Sequence, residues 1–397
     1  MRTRYFTTLL LLVGLCGCGA FAPSGRQIVI SANDNRLDLA YGAMRVYDDP
    51  RPDTLTVLDF ATFPPTVTNV GNVPNTVIGP PTNVAITPDQ RLALVANSLI
   101  IDPNDSTKQI PDTKIAIIDL TVDPPAKIGE VEAGAQPSGI SITPDGDLAL
   151  VANRADGSVS VLSLSGREVE HLEKVTIGEE GFGAEAGSGV AHVAITPDGK
   201  TALASKQNEN SVALLKIDGR KVTYTGRDMT VGLTPYSLDI SADGETAIVA
   251  TGGAPTGDTS AAAIIDLTLS PPRVVNHAAI GFGPEHLVFS PDGKLAAAAI
   301  MNGSNAPRDN GFRTETGLVR LFRRKGHDLI FCDEKPCGAV PEGVAFTNDG
   351  KYVIVQNYVD RSLSIFRVTW FGLQKACDDI PVTGQPSAIR AATRGRS

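Results

Sequence analysis

The sequence predicts an all-β chain closed into a seven-bladed β-propeller, with four antiparallel strands per blade. Three observations predict it. One short phrase recurs along the chain, each copy spells a hairpin, and the two chain ends carry complementary parts of one unit.

The phrase reads Pro-x-x-apolar-x-apolar-Thr/Ser-Pro-Asp-Gly, and its clearest copy is Pro137 to Gly146. Related copies start at Pro81, Val190, Pro235, Pro284 and Pro341, and a shortened one at Pro386. The copies lie 45 to 57 residues apart, a period that marks propellers and arrays. Alternating apolar residues such as Ile140 and Ile142 make a strand. Thr143-Pro144-Asp145-Gly146 then suits a tight turn, since proline presets φ at its second position. Leu148 to Ala152 is the returning strand. A proline at the first strand residue lacks an N–H, which fits an innermost strand with one unpaired side.

Each hairpin is followed by a third strand, as in Ser158 to Leu162, and a fourth, as in Lys174 to Ile177. That is the unit of a propeller blade. Ile28 to Asn33 matches a second strand, and Asp53 to Pro65 matches Asp112 to Pro125. The N-terminal part thus supplies three strands of a blade, and Pro386 to Thr393 supplies its missing first strand. Closure of this kind removes sheet edges that would template aggregation. Residues 1–18 read as an export leader, 19–26 as a linker and 27–397 as one domain.

In the leader, Arg2 and Arg4 precede a short apolar stretch, Leu9 to Leu15. Leu15-Cys16-Gly17-Cys18 resembles a bacterial lipobox with Cys18 as the lipidated residue, so an exported lipoprotein of the periplasm, outer membrane or cell surface is expected. Ala20-Phe21-Ala22 offers an ordinary cleavage site instead. Loss of the two arginines takes the net charge from −9 to −11. This disfavours nucleic acid, which needs a basic footprint. A monomer is expected.

Cys332 and Cys337, in FCDEKPCG, are expected to form a local disulfide, with Cys377 left over. The spacing carries no haem or redox motif.

The run Pro-x-x-Val-x-Ile-Ser/Thr-Pro-Asp-Gly, Val-Ala-Asn, Ser-Val-x-Val-Leu resembles YVTN-type seven-bladed propellers of bacterial and archaeal surface and periplasmic proteins. It is similar too to lactonase-like propellers and to amine-dehydrogenase large chains. In the lactonase-like group a Pro-Arg-His stretch precedes a Phe-x-Pro-x-Gly segment. Here Pro284-Glu285-His286 precedes Phe289-Ser290-Pro291-Asp292-Gly293, so the resemblance carries over His286 and puts Glu285 in place of the arginine.

Long connections between second and third strands fall on one face, at 34–53, 98–112, 252–260 and 301–316, joined there by the glycine-rich 178–189. Binding residues concentrate on such loops, so this is the expected functional face; the Asp-Gly turns mark the plainer one. Residues beside each leading position should ring the channel mouth. Asn83, Ser138, Tyr236 and Ser387 are candidate ligand-binding residues. His192, Glu285, His286 and Glu342 are candidate catalytic residues, since imidazole and carboxyl groups do acid–base work. Asn33, Asn97, Asn153 and Asn357, which end second strands, read as bonding to nearby backbone.

No cofactor or metal is expected. Asp48-Asp49 and Asp102 to Asp105 are acidic enough for calcium but lack the spacing of a calcium loop. The sequence favours a non-enzymatic scaffold that binds an envelope protein, peptide or glycan on its looped face. The alternatives are a lactonase-like hydrolase with a His/Glu site at the channel mouth, and the propeller subunit of a redox complex.

Overall fold

The computed structural model describes residues 25–392 and 395, apart from 39, 41–44, 77–78 and 254–255. The leader, Cys18 and most of the linker lie outside the described residues.

Seven sheets with strands in radial order make the blades, four strands in six of them, while in blade 7 the outer position is shared by Gly372–Lys375 and Ile380–Pro381. Blade 3 shows the pattern, with Pro137–Ile142 innermost, then Leu148–Asn153, Ser158–Ser165 and Glu168–Thr176. The ring closes as expected. Gln385–Ala391 is the inner strand of blade 1 and pairs antiparallel with Ile28–Asp34, which continues to Thr54–Asp59 and Thr66–Gly71. Two extra hairpins rise on the long-loop face, pairing Leu37–Asp38 with Arg45–Val46 and Leu99–Asp102 with Asp105–Pro111.

The Thr-Pro-Asp-Gly turn is held by its own side chains. Thr143 Oγ1 donates to Asp145 Oδ1 at 2.6 Å and accepts from the Leu148 amide at 3.1 Å. Gly146 takes φ +83°, a region without penalty only for glycine. The same hydroxyl-to-aspartate bond recurs at Thr196, Ser241, Ser290 and Thr347.

The core sits between blades. One apolar cluster joins blades 3 and 4 through residues such as Leu150, Val161, Val193 and Ala204, all buried. Equivalent clusters join the other neighbours, including Val29, Ile354, Ile365 and Ile389 across the closing pair of blades 7 and 1. Facing sheets thus bury one another in turn, and the apolar driving force is spread around the ring.

The expected Cys332–Cys337 disulfide is absent, and Cys332, Cys337 and Cys377 are free thiols. Cys332 lies in the strand Leu329–Pro336 and Cys337 directly follows it. Five residues along an extended strand span roughly 16 Å, far beyond the Cα separation a disulfide tolerates.

Candidate functional site at the central channel

The second residues of the inner strands lie at their long-loop ends, buried or half-buried. These are Thr82, Ser138, Ala191, Tyr236, Glu285, Glu342 and Ser387. Glu285 and Glu342 come from neighbouring blades and interact through their charges. Burial pushes Glu285 up to about 8. Burial, then Glu285, holds Glu342 well above the ordinary carboxyl range. Neither side chain has a hydrogen-bond partner among the described residues. Tyr236 lies beside them; burial raises its phenol, both glutamates add to the rise, and Arg154 opposes it. Arg154, at the end of the blade 3 second strand, also reaches Gln207.

The third residue of each inner strand forms the next layer, where His192 and His286 are fully buried. His192 Nδ1 accepts from the Leu238 amide at 3.0 Å, and His286 Nδ1 accepts from the Val344 amide at 3.1 Å. In each case the acceptor is the imidazole and the donor is the next blade's fourth position. A neutral imidazole with Nδ1 accepting carries its proton on Nε2. His286 therefore presents an N–H donor on Nε2, whereas His192 meets a donor at each ring nitrogen and can accept from only one of them while it keeps a proton. His286 Nε2 is buried without a partner. His192 Nε2 faces Arg390 Nη2 at 2.7 Å. Burial first, then Arg390, lowers both histidines well below the ordinary range, and His286 lowers His192 further.

The fifth residues line the lower channel as Ala85, Ser141, Ala194, Asp239, Val288, Ala345 and Arg390. Five are small or aliphatic, so the channel widens into a cavity of about 830 Å³ toward the Asp-Gly turns. The face expected to be plain therefore carries the larger hollow. A second hollow of about 470 Å³ lies on the long-loop face, between Arg45, Lys108, Arg154 and Phe182. The long loops fill in that face, while the minimal turns leave theirs open.

The four catalytic candidates thus fall at the second position (Glu285, Glu342) and the third (His192, His286) of the inner strands; all but Glu285 are buried, and neither hollow is lined by any of them. Of the ligand-binding candidates, Tyr236 joins the acid pair. Ser138 and Ser387 are buried with hydroxyls that lack partners. Asn83 is structural, donating to the carbonyls of Asn75 at 3.0 Å and Ala96 at 2.7 Å. The asparagines that end second strands are clamps of mixed kind: Asn153 Nδ2 holds the Ser158 and Ser160 hydroxyls, both at 2.9 Å, rather than backbone. Arg154, Asp239 and Arg390 escaped the sequence reading. The register of the repeat could have found the last two, because PYSLDI and PSAIRA put charge where other copies put Ala, Ser or Val.

Among the described residues no group of three or more His, Cys, Asp or Glu is placed to hold a metal ion. Asp102 accepts from the Asn104 amide at 2.8 Å, and Asp105 pairs with Lys108 at 2.9 Å; both serve their own hairpin turn.

Comparison with known proteins agrees with the fold. The family described as "Lactonase, 7-bladed beta-propeller" matches residues 115–254. No curated protein matches the chain. Among solved structures, a putative 6-phosphogluconolactonase from Bacteroides fragilis superposes with TM-score 0.69 at 16% identity, covering 93% of this chain and 99% of that one. The periplasmic gluconolactonase of Pseudomonas aeruginosa gives 0.63 at 18% identity, covering 93% and 99%. Hydrazine synthase of Kuenenia stuttgartiensis gives 0.60 at 19%, covering 80% and 91%. At such identities the likeness is one of fold. The chain is a seven-bladed β-propeller, and its residues 115–254 match the lactonase family of such propellers.

Proposed function

We propose that the protein is a hydrolase that opens a cyclic ester at the channel mouth on its long-loop face. The observation that carries this reading is the pair Glu285 and Glu342, from neighbouring blades and without hydrogen-bond partners among the described residues, with the unpartnered Nε2 of His286 on the residue next to Glu285. Carboxyl groups pushed up toward neutral pH suit proton transfer. The lactonase family match and the gluconolactonase-like neighbours support the same reaction class over a scaffold role.

The chemistry balances within this set. One glutamate, ionised, takes a proton from water as the water oxygen attacks the ester carbonyl carbon. The Nε2–H of His286 donates to the developing oxyanion. As the ring C–O bond breaks, the other glutamate, still protonated, gives its proton to the leaving ring oxygen. Lactone and water become a hydroxy acid, and the two glutamates exchange protonation states. The raised ionisation of Glu342 makes it the acid and leaves Glu285 as the base. Arg154 supplies positive charge on this side, where the product carboxylate forms.

The test is turnover of a panel of aldonolactones, including phosphorylated ones. Activity is expected to fall by about 10²–10⁴-fold in Glu285→Gln and about 10²-fold or more in His286→Ala. Absence of turnover on every lactone by the folded wild-type protein would overturn the proposal.

A further inference from the structure

Trp370 and Phe371 are 85% and 93% exposed, the most exposed of the large apolar side chains described. They form the two-residue tip of the hairpin between Ser362–Thr369 and Gly372–Lys375 in blade 7. The equivalent turns of blades 3, 4 and 6 are polar, as at Gly166-Arg167, Gly219-Arg220 and Lys325-Gly326, and those of blades 1, 2 and 5 are proline-containing and expose at most Val122, at 41%. Thr369 Oγ1 braces the tip, accepting from the Phe371 amide at 3.2 Å and donating to the Gly372 carbonyl at 2.8 Å. Leu373 bonds Asp333 of blade 6, and Ile330 and Phe331, a short way along that same strand, are 45% and 53% exposed.

This tip shares a face and a rim with the emerging N-terminal segment. Gln27 is bonded to Asp349, in the Asp-Gly turn of blade 7, while Arg26 and Ile28 are bonded to Gln90, in the matching turn of blade 2. Val368, two residues before Trp370, bonds Lys351 beside that same blade 7 turn. Nearby cations are already engaged. Arg26 meets Asp59 at 3.6 Å, Lys351 meets Asp349 at 2.9 Å, and Arg367 lies over Tyr352. The tip itself offers aromatic surface, and the positive charge beside it in blade 7 is engaged.

We propose that this rim docks on a lipid bilayer, with Trp370 and Phe371 entering the headgroup region. Tryptophan and phenylalanine suit that depth, where one part of a ring is wet and another apolar. The N-terminal segment then leaves the domain toward the membrane, as a lipid on Cys18 would require. The long-loop mouth faces the aqueous side. Docking stands independently of the lactone reading.

The experiment uses the exported chain as the cell makes it, incorporated into phosphatidylcholine vesicles. A lipid on Cys18 would hold any variant on a vesicle, so the readout is the fluorescence of Trp370, the single tryptophan. Expected are a blue shift, protection from aqueous iodide and quenching by brominated lipids, all insensitive to salt. Phe371→Ser keeps the probe, lies on an exposed tip, and should cut the bromolipid quenching about threefold or more, on the scale of one lost apolar side chain. Emission that stays open to iodide and indifferent to brominated lipid would overturn the proposal. So would a blue shift that needs no vesicles and grows with protein concentration, which marks a protein partner at the tip.

Discussion

Arg390 Nη2 stands 2.7 Å from His192 Nε2, joining the inner strands of blades 1 and 4 across the channel. The Leu238 amide faces Nδ1 and the Arg390 guanidinium faces Nε2, so a neutral ring, with one proton of its own, can accept from only one of these two donors. Burial first, and then this cation, keep His192 neutral. In Arg390→Met the cation goes and the bulk stays, so His192 should titrate at higher pH than in the wild type, read by imidazole NMR shifts. An unchanged titration would mean that burial alone sets it.

Acid sensitivity follows from both histidines. Their folded ionisation lies below the unfolded value, so below about pH 6.5 the unfolded chain binds protons that the native chain refuses. Their contribution to stability is full above that pH and declines as pH falls through it. Urea midpoints at pH 7.5 and 5 should therefore differ less in His192→Asn than in the wild type.

The acid pair has the opposite sign. Glu285 and Glu342 keep protons that the unfolded chain releases above about pH 4.5. Between there and about pH 8 they lower stability as pH rises. Glu342→Gln should gain about 1–3 kcal/mol at pH 7.5 and nothing at pH 4, by urea unfolding. If Glu285 is the base, kcat/KM on a lactone should rise toward an apparent ionisation near 8.

Gly139 leaves no room for a side chain. A Cβ there would meet His192 Cδ2 at 2.4 Å, His192 Cα at 2.8 Å and Thr82 Oγ1 at 2.8 Å. Backbone cannot yield, so Gly139→Ala should cost about 1–3 kcal/mol. Gly129→Ala, whose Cβ would see only Ile117 Cδ1 at 3.9 Å, is the control and should be far milder.

The thiols should separate by access. Cys332 is exposed; Cys337 is buried, and burial pushes it up to about 12. A thiol reagent should label Cys332 in the folded protein at once and Cys337 only on unfolding. Failure of Cys332 to react would contradict its exposure in the folded protein.

Much of the architecture is local enough to read along the chain. The Thr143, Pro144, Asp145, Gly146 turn is encoded by neighbours within a few residues, and alternation at Ile140 and Ile142 sets which side is buried. The closing pair, Ile28–Asp34 against Gln385–Ala391, was legible because both ends retain recognisable parts of the repeat. Glu285, Glu342, Tyr236, His192 and His286 were legible as channel residues, since the repeat register places the second and third positions. Their roles were not. Whether an imidazole donates or accepts depends on a backbone amide of the next blade, some fifty residues on, as with His192 and Leu238 or His286 and Val344.

The sequence by itself determined the blade count, the turn chemistry and the closure, because these rest on periodicity and short-range hydrogen bonding. Only the tertiary structure decided that the Asp-Gly face holds the larger cavity, that Arg390 meets His192, that the cysteines stay apart and that Trp370 stands in the open. Each of these depends on where seven separately encoded hairpins converge around an axis, and on which groups burial then leaves without water or a partner.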